Sequence, residues 1–309
     1  MRMGEPLVFT KKKRSYEAPV PLAPIADTHA HLLNFWSKDP VEALVRAAQA
    51  GDQLLITLLD PIADGIDAPT FHNRLTAWFH DSFGVRPQMS QKVRYLCGVH
   101  PYGAPEYTDA VHAQVEAALD DPLCAGIGEI GLDYHFDYDD DVVPAPHNLQ
   151  IEVMERQLGL AIRRNVPVEL HLRNDIGDEV REAHADAYNV LHTMGIPQAG
   201  CILHCFTEDR ATMERFVDLG CYIAFGGAAT FKRNEGIREA FAACPLDRIL
   251  FETDCPYMAP EPLRGLECEP AMIAFTVDAL VHDRAARTGE DPQVIAQAAW
   301  ENAVRLFSM

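Results

Sequence analysis

Short apolar, β-branched runs alternate with amphipathic helical stretches along this chain, and no other sequence feature restricts its fold as strongly. The strand-like runs fall at residues 25–29, 53–58, 93–99, 125–129, 166–171, 200–204, 222–225 and 248–253. Helical stretches fall between them at 40–50, 69–83, 107–119, 148–165, 178–194, 209–219 and 233–243. A last helical region covers 270–288 and 292–307. Strands separated by helices pair in parallel, because the chain must cross back before each new strand. Eight such units predict the α/β class and closure into a TIM (β/α)8 barrel, which takes roughly 250 residues plus insertions. The 309 residues suit one barrel domain over 25–309 behind an N-terminal extension over 1–24. That extension is rich in charge and proline and lacks periodicity. It is expected as an ordered arm across the barrel floor or as a loose tail.

Barrel enzymes place their active sites at the C-terminal strand ends, so what terminates each run is informative. The first run leads into IADTHAHL at 25–32, where Asp27, His29 and His31 alternate with Thr28 and Ala30. Alternate side chains of a strand share one face. The third run ends in His100 (GVHPY) and the fourth in Glu129 (GIGEIGLDY). The fifth ends in His171 (VELHLR), the sixth in His204 (ILHCFTEDR) and the eighth in Asp254 (FETDCPY). A single histidine ending a strand is ordinarily a hydrogen-bonded, partly buried residue. Ligand-type residues at six strand ends of eight do not reduce to that explanation, and they predict a divalent-metal centre at one mouth.

Composition narrows the partners. The net charge is −20, which opposes long-range attraction to phosphate backbones and argues against a surface that holds long duplexes. A local metal site that captures one phosphate stays compatible with it. No apolar run approaches the ~20 residues of a membrane span. The basic residues at 11–14 are followed by neither an apolar core nor a small-residue cleavage site, so no signal peptide is expected. The eight cysteines (Cys97, Cys124, Cys201, Cys205, Cys221, Cys244, Cys255, Cys268) form no CxxC pair. Buried free thiols in a reducing cytoplasm are the expectation.

The blocks DTHAHL, GVHP, GEIGLDY, HLR, HCFTEDR, ETDCPY and PEPLRGLECEPAM occur in this order from Asp27 to the C-terminal ENAVRLF. Together they closely resemble the TatD-like metal-dependent hydrolases, the TatD family deoxyribonucleases. The resemblance implies a barrel that hydrolyses phosphodiesters, commonly by trimming DNA at its 3′ end. It implies His29, His31, Glu129, His171, His204 and Asp254 as divalent-metal ligands.

The residues agree with that set. Glu129 has two oxygens with which to bridge two cations. His29 and His31 with Asp254 would complete one site, and His171 with His204 the second. Two cations ~3.5–4 Å apart clamp an attacking hydroxide and a phosphoryl oxygen. Asp254 is expected to accept the water proton as well. Imidazole-rich sites favour zinc, manganese or iron intrinsically, whereas the family is often assayed with magnesium. The cofactor expectation is therefore two divalent cations, Mg, Mn or Zn.

Other residues carry expectations of their own. Asp27 is expected to orient a histidine, and His100 to face substrate or serve structure. Arg173 and Arg264 could fork onto a phosphate, Arg264 equally into an ion pair. Asp133 is expected to tie down its loop. Phe71, Trp78 and Phe79 fall at helical spacing, which marks core packing, and residues 11–14 form a solvated run. Four departures from the family pattern bear on substrate: the long segment 60–91 expected at the mouth, Tyr102 in place of a histidine, Asn174 in place of an aspartate, and Cys255 in place of a serine.

The resulting reading is a cytoplasmic dinuclear hydrolase cleaving phosphodiesters at nucleic-acid ends, with Glu129, Asp254, His100 and Arg173 as catalytic candidates. The alternative is an amidohydrolase-type enzyme acting on a small amide, ester or lactone. Those enzymes often bridge their metals with a modified lysine where Glu129 stands. A non-catalytic metal-binding protein would not need the complete ligand set. A free-standing monomeric barrel is expected, with the helix over 71–83 as a candidate interface.

Overall fold

The strands that build the molecule are apolar on both faces, as parallel strands covered by helices must be. The computed structural model describes residues 6–83, 92–136 and 143–307. An N-terminal hairpin, β1 (Val8–Lys11) and β2 (Arg14–Glu17), precedes the barrel. The barrel strands are β3 (Ile25–Ala30), β4 (Asp52–Leu59), β5 (Lys92–Cys97), β6 (Cys124–Asp133), β7 (Val168–Arg173), β8 (Cys201–Leu203), β9 (Tyr222–Phe225) and β10 (Ile249–Phe251). They pair in parallel in sequence order from β3 to β10.

Helices α1 (Pro40–Gln49), α2 (Ala68–Phe83), α3 (Asp109–Ala118), α4 (His147–Arg164), α5 (Glu182–Met194), α6 (Arg210–Asp218) and α7 (Glu235–Ala243) fill the crossovers. Two more, α8 (Ile273–Thr288) and α9 (Pro292–Phe307), follow the last strand. Asp39, Thr108 and Asp209 accept backbone N–H groups at the starts of α1, α3 and α6, satisfying donors that a helix leaves open.

Two apolar layers result. Inward side chains including Leu54, Ile56, Leu96, Ile202, Ala224 and Leu250 fill the barrel, and Leu306 and Phe307 of α9 join them at the floor. Outward side chains pack against the ring of helices. The eight cysteines are free thiols, six of them buried. Phe71 is buried edge-on against Tyr95, so α2 uses its aromatics for packing, with Phe79 at the solvent edge of the row. Among the described residues no helix is long and apolar enough to cross a membrane.

The barrel closes between β10 and β3 through the segments that carry the strand-end motifs. Asp254 N–H donates to the His29 carbonyl at 3.0 Å, and His31 N–H to the Cys255 carbonyl at 2.8 Å. Thr253 gives its N–H and hydroxyl to the buried Asp27 carboxylate at 2.9 and 2.6 Å. Asp27 therefore does not orient a histidine ring, as its position suggested. It seals the seam.

Sequence and structure part in a few further places. Strand β6 runs past Glu129 to Asp133, so Glu129 lies within a strand and not at its end. The register with β7 slips between Ile127 and Ile130, and such a bulge re-aims a side chain. A Cβ on Gly131, whose φ is +141°, would meet the His171 carbonyl oxygen, so the HLR strand can lie this close only beside glycine. Helix α5 begins four residues later than its periodicity predicts. Asp178 accepts the N–H groups of Val180, Arg181 and Glu182, which holds that turn outside the helix. Over its described part the N-terminal extension is ordered. Phe9 packs edge-on to Phe275, Arg46 covers the same ring, and Lys11 donates to the Pro262 carbonyl. Of the long segment 60–91, residues 84–91 lie outside the described residues.

Candidate metal centre

The bulges and strand ends bring His29, His31, Glu129, His171, His204 and Asp254 to one point inside the mouth. His29 Nε2 and His31 Nε2 lie 3.0 Å apart, with Asp254 Oδ1 at 3.7 and 3.5 Å from them. On the other side His204 Nε2 lies 3.2 Å from His171 Nδ1. Glu129 stands between the two groups. Its Oε1 is 3.8 Å from His31, and its Oε2 is 3.0 Å from His204 and 3.5 Å from His171. Among the described residues three donor groups could hold a cation: His29, His31 and Asp254; His29, Glu129 and His204, which shares His29 with the first; and His100, Asp133 and His171. Asp254 has φ +55° and Cys205 φ +45°, a conformation L-residues avoid and active sites often hold.

A divalent cation fits this set on the evidence of the donors themselves. Glu129 Oε2 is buried without a properly directed hydrogen bond among the described residues, and leaving such an oxygen unpaired is costly. Burial opposes the Glu129 charge, yet the His171 and His204 rings hold its carboxyl well below the usual range. The same balance, burial against the His31 ring, lowers Asp254.

Buried carboxylates stand behind three of the rings. Glu169 Oε1 lies 2.7 Å from His29 Nδ1, and Asp133 Oδ2 lies 3.0 Å from His171 Nε2. Glu252 Oε1 faces His204 Nδ1 at a looser 3.7 Å while accepting the Cys205 N–H at 2.5 Å. Carboxylates so placed fix a ring's tautomer and aim its other nitrogen at a metal. Burial pushes Glu169 up to about 8 and His29 down to about 3. His171 is raised to about 9 because its contacts with Asp133 and Glu129 outweigh burial.

Sequence reasoning missed Glu169 and Glu252. Each lies two residues before a candidate ligand, in VELHLR and FETDCPY, where strand periodicity puts it on the ligand's face. A glutamate inside an otherwise apolar strand was the available signal. Asp133 ties down its loop as expected by accepting the His135 N–H, and its second oxygen serves His171.

His100 sits at the rim, its ring 4.4 Å from the His171 ring and edge-on to it. Burial lowers it to about 3. Its Nδ1 accepts the Tyr102 N–H at 3.2 Å, so the neutral ring carries its proton on Nε2. Arg173 is half-buried, with a guanidinium nitrogen 3.9 Å from Asp133. Arg264 stacks on Phe231, 4.3 Å from the ring centre, and Asn174 bonds His184 and Glu208.

The model of the family described as TatD related DNase matches residues 26–308. The chain belongs to that family. YcfH of Escherichia coli K12, an uncharacterized metal-dependent hydrolase, is 32% identical over 287 residues, 92% of this chain and 95% of YcfH. The 3′-5′ ssDNA/RNA exonuclease TatD of Citrobacter koseri is 30% identical over 234 residues, 72% of this chain and 83% of that protein. The crystal structure of YJJV, a TatD homologue of Escherichia coli K12, superposes with a TM-score of 0.72 at 28% identity. It covers 93% of this chain and 99% of YJJV. This TatD-family chain is accordingly a metal-dependent hydrolase on a TIM barrel.

Proposed function

We propose that the protein is a dinuclear metal-dependent phosphodiesterase that trims single-stranded nucleic acid from its 3′ end. The observation that carries this reading is the placement of Glu129, which presents one oxygen to His31 and the other to His204 and His171. His29, His31 and Asp254 would hold one cation, His171 and His204 the other, and Glu129 would bridge them. Two bound cations supply Lewis acidity and bring the pKa of a water down to about 7.

The chain's own groups do the rest. Glu169 and Asp133 accept hydrogen bonds from the outer N–H groups of His29 and His171, which leaves the inner lone pairs facing the centre. The Asp254 carboxylate is placed to take the proton of an attacking water. His100, neutral and protonated on Nε2, is a donor for a phosphoryl oxygen. Arg173, at the same rim, is suited to pair with a phosphate. The Citrobacter relative, named for exonuclease action on single-stranded DNA and RNA, supports the substrate class.

The test is release of nucleotides from a 3′-end-labelled single strand by protein stripped with chelator and restored with magnesium, manganese or zinc. Release is expected with at least one ion, and Glu129→Gln should lower turnover by about 100-fold or more, since it removes the bridging charge. No release with any ion would overturn the reading in favour of a small amide, ester or lactone substrate.

A further inference from the structure

We propose that Trp36 and Tyr257 form a base-stacking ledge beside the metal centre, on which a base near the 3′ end of a single strand lies face-on. The inference takes its substrate class from the phosphodiesterase reading and adds where that substrate is held. Trp36 follows His31 by five residues and Tyr257 follows Asp254 by three, so both project from loops that leave candidate ligands. The Tyr257 ring lies 6.0 Å from the His31 ring, and the Trp36 ring 6.2 Å from Tyr257 at a 49° tilt. The three rings thus step outward from the centre across the rim.

Both outer rings face solvent. Trp36 is 62% exposed and Tyr257 48%, whereas Trp78 and Trp300 are half-buried. An aromatic of this size left in water forgoes the burial its area could supply. The loop nonetheless holds Trp36 in place. Glu267 accepts the Trp36 N–H at 2.8 Å and the Ser37 N–H at 3.1 Å, and Ser37 also gives it a hydroxyl hydrogen bond. A backbone fixed on both sides of an exposed indole presents a surface that needs no ordering when a ligand arrives.

A nucleobase suits this surface better than a phosphate does. The chain carries a net charge of −20, so phosphate contacts supply little of the affinity that basic nucleases draw from them. Stacking is uncharged, and it tolerates sequence because every base has a π-face. An enzyme that trims one nucleotide after another needs that tolerance.

A short oligothymidylate with phosphorothioate linkages at its 3′ end and a dye at its 5′ end tests the ledge in the metal-loaded enzyme. Binding should quench tryptophan fluorescence, and Trp36→Phe should abolish the quench by removing the reporter. By dye anisotropy Trp36→Ala should bind about 5- to 100-fold more weakly, the range for losing one stacked base, and Trp36→Phe should restore most of the loss. An abasic site moved through the last few positions should weaken wild type at one position and leave Trp36→Ala no weaker there. Trp36→Ala binding within about twofold of wild type would overturn the ledge. Trimming by that variant with unchanged KM would overturn it while leaving the phosphodiesterase reading intact. Trp36-dependent binding without hydrolysis would uphold the ledge and remove that reading.

Discussion

His29 and Glu169 show how a buried pair can set the chemistry of a metal ligand. Without metal, burial favours the uncharged form of both, with Glu169 pushed up to about 8 and His29 down to about 3. A cation on His29 Nε2 requires the ring proton on Nδ1, which Glu169 stabilises most strongly as a carboxylate. Glu169→Gln should therefore weaken metal binding about 10- to 100-fold, read by equilibrium competition with a chromophoric chelator. The metal-free fold should keep its stability, because burial already favours an uncharged Glu169 there and a glutamine amide can still hydrogen-bond His29 Nδ1. Equal loss of metal affinity and folding stability would make Glu169 structural. His171 gives the pH counterpart. Its pKa is raised from 6.5 to about 9, so its proton stabilises the metal-free fold fully below pH 6.5 and ceases to do so as pH rises through 9. Metal must displace that proton. Apparent affinity should rise between pH 6.5 and 9 by about tenfold per pH unit for each proton released. Calorimetry in buffers of different ionisation enthalpy would count those protons, and a count of zero at pH 7 would refute the argument. The six candidate ligands were legible because each ends or follows an apolar run. Glu169 and Glu252 were hidden inside such runs.

At the scale of elements, the order of strands and helices could be read from periodicity because burial between two layers imposes it. Register could not. The slip opposite Glu129 depends on which residues of β7 lie across from it, and no local pattern encodes a partner. Asp27 illustrates the same limit. It alternates correctly with His29 and His31, yet β3 shifts register against β4 between Asp27 and Ala30, and its carboxylate meets Thr253 instead of a ring. The seam between β10 and β3 thus depends on a buried side chain as well as on backbone pairs. Asp27→Ala strands the Thr253 N–H and hydroxyl, and each such loss costs roughly 1–3 kcal/mol. Urea unfolding of the metal-free variant should show about 3 kcal/mol less stability, and Thr253→Val a smaller loss. A change under about 0.5 kcal/mol in Asp27→Ala would mean that the backbone pairs close the barrel alone. The N-terminal hairpin was illegible for a related reason, since Phe9 is fixed by Phe275 and Arg46 and not by any repeat of its own.

Charge is a property of the whole molecule. A net −20 favours divalent cations and repels a polyanion, so the protein approaches its proposed substrate against its own field. Monovalent salt shortens the reach of that field from about 30 Å at 0.01 M to about 8 Å at 0.15 M. For a basic nuclease the same salt lowers affinity, because the counterions displaced from bound phosphates gain less entropy on release into a saltier solution. Here the two effects oppose each other. Of the two cations expected to meet a phosphate, Arg173 and Arg264, the second is engaged with Phe231. Relief of repulsion should then prevail at low salt. At saturating metal, kcat/KM for a single-stranded oligonucleotide should rise or stay flat between 0.01 and 0.15 M potassium chloride, while kcat stays constant. A steep fall over that range would show that the mouth carries a local positive field strong enough to overcome the net charge, and would move the source of affinity from stacked bases to phosphates.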